Sequence, residues 1–181
     1  MKSEEVLGLI ALGLIAYLAY NKKGSIDSDP NREYIPNSGD WDKPSFVFPL
    51  IEDQFGKAIA RNAEKIYRLE TRNFTSGQYK AGRSAGMEAV DTIFPYGWGS
   101  LRNLWMANPK LKPIGLDSWE QDSGGRQNID FIKFPNLYAG AVALAQVLKD
   151  RGNAPGSWFS TIPEKQRSYE RVLSNYKARY V

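Results

Sequence analysis

Apolar side chains are concentrated near the start of the chain. The run 6–20 (VLGLIALGLIAYLAY) is uninterrupted, with glutamates before it and Lys22 and Lys23 after it. As a helix it would rise roughly 22 Å, against a hydrocarbon core of ~30 Å, so its flanking residues must reach the interface. We predict a short membrane anchor over residues 1–21. A cleaved signal peptide is the alternative, but the run lacks a basic start and an A-x-A site.

Residues 22–48 are predicted to be a linker, because glycines and prolines interrupt any periodicity there. Four aromatic residues, Tyr34, Trp41, Phe46 and Phe48, exceed what a free tether needs. We therefore expect the second half of the linker to pack on the domain that follows.

The domain, residues 49–181, is expected to open with a helix that starts after Pro49 and runs through Glu70. Its apolar positions, including Phe55 and Ile66, fall on one stripe at helical spacing, and Glu70 lies in the middle of that stripe. The charged positions fall on the opposite side and are predicted to face solvent. They are Lys57, Arg61, Glu64, Lys65 and Arg68.

The remaining periodicity is also helical. Short helices are predicted over 85–92 and 100–107, an apolar central helix over 137–151, and a last helix after a capping-box spacing at Thr161. Residues 117–128 are predicted to be a loop, and no long strand is indicated. The predicted fold class is mainly α (α+β).

Composition excludes several chemistries, because the chain contains no cysteine and no histidine. Nucleophile pairs that use histidine and the usual zinc sites are therefore impossible. Carboxylate catalysis remains, and no metal or organic cofactor is predicted. The net charge of +4 favours acidic partners only weakly, since a basic surface also serves solubility.

Glu70 is the candidate catalytic residue. A carboxyl group on an inward helix face loses solvation, and near a helix C-terminus it meets the negative end of the dipole; both effects raise its pKa, as a general acid requires. The alternative is that Glu70 lies past the last ordered turn and points to water.

A helix that ends in an inward glutamate, followed by the polar and aromatic stretch 71–79 (TRNFTSGQY), resembles the catalytic element of the lysozyme-like superfamily, which includes the lytic transglycosylases. Thr71 and Phe74 match the Ser/Thr and aromatic positions of that family, with Phe74 one residue late. Residues 85–88 (AGME) are a loose counterpart of its Gly-Leu-Met-Gln segment. The resemblance covers roughly residues 49–179, including the stretch that ends at Trp158.

The resemblance implies a two-lobed domain that cleaves the β-1,4 bond between N-acetylmuramic acid and N-acetylglucosamine in peptidoglycan, with Glu70 as general acid/base. It also implies that Tyr169, in the last helix, hydrogen-bonds Glu70. Proposed groove residues, suited to hydrogen bonding or stacking on sugars, are Thr75, Ser76, Gln78, Tyr96 and Trp98. For Tyr96 and Trp98, packing in the core is an equal alternative.

Glycosidases commonly use a second carboxylate. The candidates are Glu88, Asp91, Asp117, Glu120, Asp122 and Asp130. Lytic transglycosylases use a single glutamate, assisted by the N-acetyl group of the substrate, and we favour this mechanism slightly.

The positive charge after residues 6–20 places the domain on the cytoplasmic-like face. This orientation suits an enzyme inside a membrane-containing virion, whereas a bacterial envelope enzyme would face the wall. A non-enzymatic wall-binding or virion structural protein is the alternative function. The basic residues of the final helix are interpreted as a solvated face, so no nucleic-acid partner is expected. They are Arg167, Arg171, Lys177 and Arg179.

Overall fold

The computed structural model describes residues 40–87, 99–119 and 129–181. The predicted anchor, the first part of the linker and the predicted groove residues Tyr96 and Trp98 lie outside these ranges. None of the helices in the described ranges has both the length and the hydrophobicity needed to cross a bilayer.

Two helices, and not one, precede the candidate site. Helix α1 spans Pro44–Phe55 and helix α2 spans Lys57–Glu70. The predicted single helix from Pro49 is therefore wrong at both its start and its continuity. Pro44 is at the first position of α1, where its missing N–H costs nothing, and Gly56 adopts a φ of 83° that breaks the helix.

The rest of the described chain is mainly helical, which confirms the coarse fold class. Its elements are α3 (Gly77–Gly82), α4 (Gly99–Ala107), a 3-10 turn (Pro109–Leu111), β1 (Gly115–Trp119), β2 (Ile129–Lys133), α5 (Leu137–Asp150), α6 (Pro155–Phe159) and α7 (Pro163–Leu173). The strands form an antiparallel hairpin in which Gly115 is opposite Lys133 and Trp119 is opposite Ile129. The predicted loop over 117–128 is therefore wrong at its start, where β1 runs to Trp119.

Helix α5 is the centre of the core, as predicted, and its residues from Leu137 to Leu148 are buried except for the half-buried Tyr138. Asn136 caps its first turn, since the Asn136 side chain accepts a hydrogen bond of 2.9 Å from the Ala139 backbone N–H. Helices α1, α2 and α4 pack against it, while α6 packs on α7 and α7 reaches α2. These contacts bring α7 against α2, the helix that ends at Glu70.

The residues before α1 also belong to the packed structure. The Asp42 carboxylate accepts hydrogen bonds from the Leu137 backbone N–H at 2.9 Å and from Arg83 Nε at 3.1 Å. The Trp41 ring lies 4.6 Å from the Tyr138 ring, centroid to centroid. The expectation that the second half of the linker packs on the domain is confirmed for residues 40–48.

The predicted solvent-facing side of α2 needs a correction. Glu64 is fully buried and Arg68 is only 4% exposed. The two side chains form an ion pair, with Arg68 Nε 2.8 Å from Glu64 Oε1. The helical spacing of the charged residues predicts that this side of α2 is exposed to solvent. Instead, a segment from the far end of the chain covers it.

Candidate active site

Glu70 is the last residue of α2 and is partly buried. Burial raises the pKa of its carboxyl above the usual range, and a hydrogen-bonding interaction with Tyr169 lowers it by a smaller amount. The helix C-terminus also disfavours negative charge at this position. Glu70 therefore keeps its proton to a higher pH than an exposed glutamate does.

Tyr169 reaches this carboxyl from α7, and its side chain is only 6% exposed. Burial, followed by the charge of Glu70, raises the pKa of the phenol far above its usual range. The contact is looser than an ordinary hydrogen bond, because no described residue partners the Tyr169 hydroxyl within normal distance and angle. Tyr169 thus keeps its proton and lies beside a carboxyl that can change its charge.

A tight loop follows Glu70. Arg72, Asn73 and Phe74 have φ values of 49°, 56° and 66° and are three successive left-handed residues. This conformation costs Arg72 and Phe74 about 1–2 kcal/mol each, whereas asparagine adopts it readily. Hydrogen bonds enforce this conformation: the Asn73 N–H donates to the Arg68 carbonyl at 2.8 Å, and the N–H groups of Thr75 and Ser76 donate to the Thr71 carbonyl, both at 2.9 Å. The loop ends α2 immediately after Glu70.

Thr71 and Phe74 hold this loop together from inside. The buried Thr71 hydroxyl donates to the Tyr67 carbonyl and accepts from the Phe74 N–H at 2.8 Å. The Phe74 ring packs among the rings of Phe48, Tyr67 and Tyr79, at centroid distances of 6.0, 6.1 and 5.7 Å. Both residues that carry the resemblance therefore make their contacts within the loop and the core.

The predicted groove residues are placed only in part. Thr75 is exposed, and its hydroxyl donates to the Arg72 carbonyl at 2.6 Å. The Ser76 hydroxyl caps α3 by accepting from the Tyr79 N–H at 3.1 Å. Gln78 lies on α3. The structure brings Thr75 and Ser76 into the loop after Glu70, while the Tyr96 and Trp98 predictions fall outside the described residues.

Phe159 is a neighbour of the site that the sequence did not reveal. Its ring stacks on Tyr169 with centroids 4.3 Å apart and an interplanar angle of 10°, and the side chain is 48% exposed. Trp158 packs at 5.8 Å from the same tyrosine. Helix α6 is only five residues long, so no periodicity could assign a face to Phe159.

The counterpart of the second family segment lies beside the hairpin. The Met87 carbonyl accepts a hydrogen bond of 2.9 Å from the Ile132 N–H, and Ala85 and Met87 are buried. Gly86 has a φ of 76°, which favours glycine. This segment is therefore held against β2 as part of the packed structure.

Two of the second-carboxylate candidates, Asp117 and Asp130, lie on β1 and β2. The other four fall outside the described residues. Within the described ranges no group of three or more carboxylates comes together as a metal site.

Comparison of the chain with protein-family models, with curated proteins and with solved structures found no match.

Proposed function

We propose that this chain is a peptidoglycan-cleaving enzyme with a lysozyme-like domain, and that Glu70 is its general acid/base. The observation that carries the proposal is the pairing of a partly buried glutamate, with its pKa raised, and the buried hydroxyl of Tyr169. Glycosidic bond cleavage requires an acid that holds its proton to a higher pH than an exposed carboxyl group does, and the raised pKa of Glu70 goes in that direction.

In the first step Glu70 gives its proton to the glycosidic oxygen as the bond to C1 of the muramyl sugar breaks. Its carboxylate is then stabilised by the Tyr169 hydroxyl, which burial keeps protonated. The N-acetyl group of the substrate assists at C1, so a second carboxylate is not needed. Glu70 then takes a proton from the sugar's own C6 hydroxyl, which closes an anhydro product, or from water, which gives hydrolysis.

The proposed glycan groove passes the loop after Glu70. Thr75 and Ser76 lie there with hydroxyl groups that each retain hydrogen-bonding capacity. The exposed ring of Phe159, stacked on Tyr169, offers an apolar face of the kind on which sugar rings pack. Gln78, Tyr96 and Trp98 remain predicted members of the same groove.

The apolar run 6–20 supports the proposal that the enzyme is tethered to a membrane by a single span. The tether would hold the domain close to its substrate in a bacterial envelope, or in the internal membrane of a virion that delivers it during infection. The basic residues after the run favour the second location.

The test is release of soluble fragments from purified peptidoglycan by the detergent-solubilised full chain. We expect release by the wild type and its loss in Glu70→Gln, a change that keeps size and polarity but removes the proton. Glu164→Gln, at an exposed glutamate in the first turn of α7, is the matched control and should stay active.

Folding of each protein is checked by a cooperative thermal transition. If the folded wild type releases nothing, the enzyme proposal fails and the non-enzymatic binding role takes its place. If folded Glu70→Gln keeps its activity, the assignment of Glu70 fails while the enzyme proposal stands.

A further inference from the structure

The buried Glu64 carboxylate on α2 is satisfied from two directions. Arg68, one turn along the helix, donates from Nε at 2.8 Å and lies with its second terminal nitrogen 2.6 Å from the same oxygen. The backbone N–H groups of Arg179 and Tyr180 donate to the two carboxylate oxygens at 2.8 and 3.1 Å. A fully buried charge is tolerated when it is paired with an opposite charge and hydrogen-bonded in this way.

The segment after α7 is thereby tied to α2. Val181 packs against the core, and its carbonyl oxygen accepts a longer contact of 3.5 Å from Arg61 Nε. The Tyr180 ring lies over the Arg68 guanidinium, 5.2 Å from its central carbon. Residues 179–181, called here the strap, therefore close over the ion pair.

The opposite side of Arg68 contacts the loop that follows Glu70. Its first terminal nitrogen donates to the Asn73 side-chain oxygen at 3.3 Å, and its central carbon lies 5.3 Å from the Phe74 ring centroid. Asn73 and Phe74 are two of the three left-handed residues. In the sequence, Glu70 lies between Arg68 and Asn73, the two residues that this hydrogen bond joins.

We infer that Arg68 is a positioning residue for Glu70, and that the strap belongs to the catalytic apparatus because it holds Arg68 in place. The role of the strap in catalysis rests on the proposed function. The positioning of Glu70 does not, because it concerns only the loop and the carboxyl. A planar guanidinium satisfies Glu64, Asn73 and two aromatic rings at once, which the ammonium of a lysine cannot do.

The experiment uses the full chain and compares deletion of residues 179–181 with the wild type. Two readouts are taken: the midpoint of the Glu70 carboxyl titration, followed by NMR with carbon-13-labelled glutamate, and kcat and KM on soluble glycan fragments. Lys177→Ala is the matched control, because Lys177 is exposed and lies in the same segment outside the strap.

Removal of the strap should loosen the loop and hydrate Glu70, so its titration midpoint should fall toward the usual range for glutamate. The same displacement should lower kcat by roughly tenfold or more with little change in KM, because the loss is one of orientation and not of binding. Lys177→Ala should match the wild type in both readouts. A deletion protein that is folded and yet keeps the wild-type midpoint and kcat would overturn the inference.

Two point variants carry the test if the deletion protein does not fold. Asn73→Gly keeps a left-handed backbone without strain and removes only the bond to Arg68. Tyr180→Ala keeps the backbone donors and removes only the ring over the guanidinium. Each should move the Glu70 midpoint in the same direction by a smaller amount, and no movement in either folded variant contradicts the positioning role.

The two proposals fail separately. If the wild type cleaves no glycan but the strap deletion still shifts the Glu70 midpoint, the positioning of Glu70 stands and the enzymatic function falls. If the wild type cleaves glycan but the Glu70 midpoint does not respond to the strap deletion, the enzymatic function stands and the positioning of Glu70 by Arg68 and the strap falls.

Discussion

The Tyr169 hydroxyl lies against the Glu70 carboxyl, and each group changes the pKa of the other. Tyr169 lowers the pKa of Glu70 against the larger opposing effect of burial. Glu70 in turn adds to the burial effect that raises the pKa of Tyr169. Glu70 can lose its proton, whereas Tyr169 keeps its own. The two residues lie on helices about a hundred residues apart in the sequence.

Replacing Tyr169 by phenylalanine should raise the pKa of Glu70, because the one interaction that lowers it is lost. The alkaline limb of the pH–rate profile, where the acid loses its proton, should move to higher pH. The maximal rate should fall by roughly tenfold or more, because the carboxylate left after proton donation loses the hydroxyl group that would stabilise its charge. Tyr176→Phe, at a half-buried tyrosine beyond α7, is the control. A limb that moves to lower pH contradicts this account.

Glu70→Gln should increase the stability of the fold at neutral pH. The folded-state pKa of Glu70 lies above its unfolded value, so the stability it contributes is present at low pH and is lost as pH rises through the folded pKa. The gain in the free energy of unfolding over wild type should be present at pH 7, above the usual pKa of a glutamate. It should disappear below the usual range of a glutamate.

Urea denaturation of both proteins at pH 7 and at about pH 3.5, below the usual pKa of a glutamate, measures this difference. If the wild type and Glu70→Gln differ by the same free energy of unfolding at both pH values, Glu70 is hydrated in the folded protein. That result would remove the physical basis for its role as an acid.

Phe159→Ala should weaken glycan binding, since the ring exposes one face beside the Glu70 and Tyr169 pair. A stacking contribution of about 1 kcal/mol corresponds to roughly a fivefold rise in KM, with kcat largely preserved. Ile162→Ala is the matched control, because Ile162 is equally exposed at 47% and lies just before α7. Equal effects of the two substitutions would argue against a specific stacking role.

Gly140→Ala should destabilise the fold. A Cβ at this position would clash with the Tyr67 hydroxyl and lie 2.6 Å from the Arg83 carbonyl oxygen, and Tyr67 is itself hydrogen-bonded to that carbonyl at 3.2 Å. Overpacking of this kind costs about 1–3 kcal/mol. A thermal midpoint equal to that of the wild type would show that α5 can move away from α2 at no cost.

Local pattern predicted much of the helical structure. The positions of α4, α5 and α7 and the inward direction of Glu70 follow from periodicity, which acts within a few residues. The predicted capping box at Thr161 is wrong, because Ile162 is the N-cap of α7 and no side chain caps the helix. The break at Gly56 was missed because Pro49, inside α1, was interpreted as a helix start. The β hairpin was missed because its short strands carry no clear alternation.

The larger errors concern long-range partners. Glu64 and Arg68 were placed in solvent by their helical spacing, yet the N–H groups that satisfy Glu64 lie 115 and 116 residues further along the chain. Phe159 could not be linked to the site for the same reason, since its position depends on how α6 packs on α7. Sequence periodicity identifies a face of a helix, and only the tertiary structure identifies what covers it.

The most direct test of the central claim is mass spectrometry of the sugars released from peptidoglycan by the wild type and by Glu70→Gln. The account predicts glycan fragments that end in anhydromuramic acid and that vanish in the folded mutant. Fragments with reducing ends would keep Glu70 as the acid and show that water, and not the C6 hydroxyl of the sugar, is the group that attacks C1. Release of either product by folded Glu70→Gln at the wild-type rate would contradict the account.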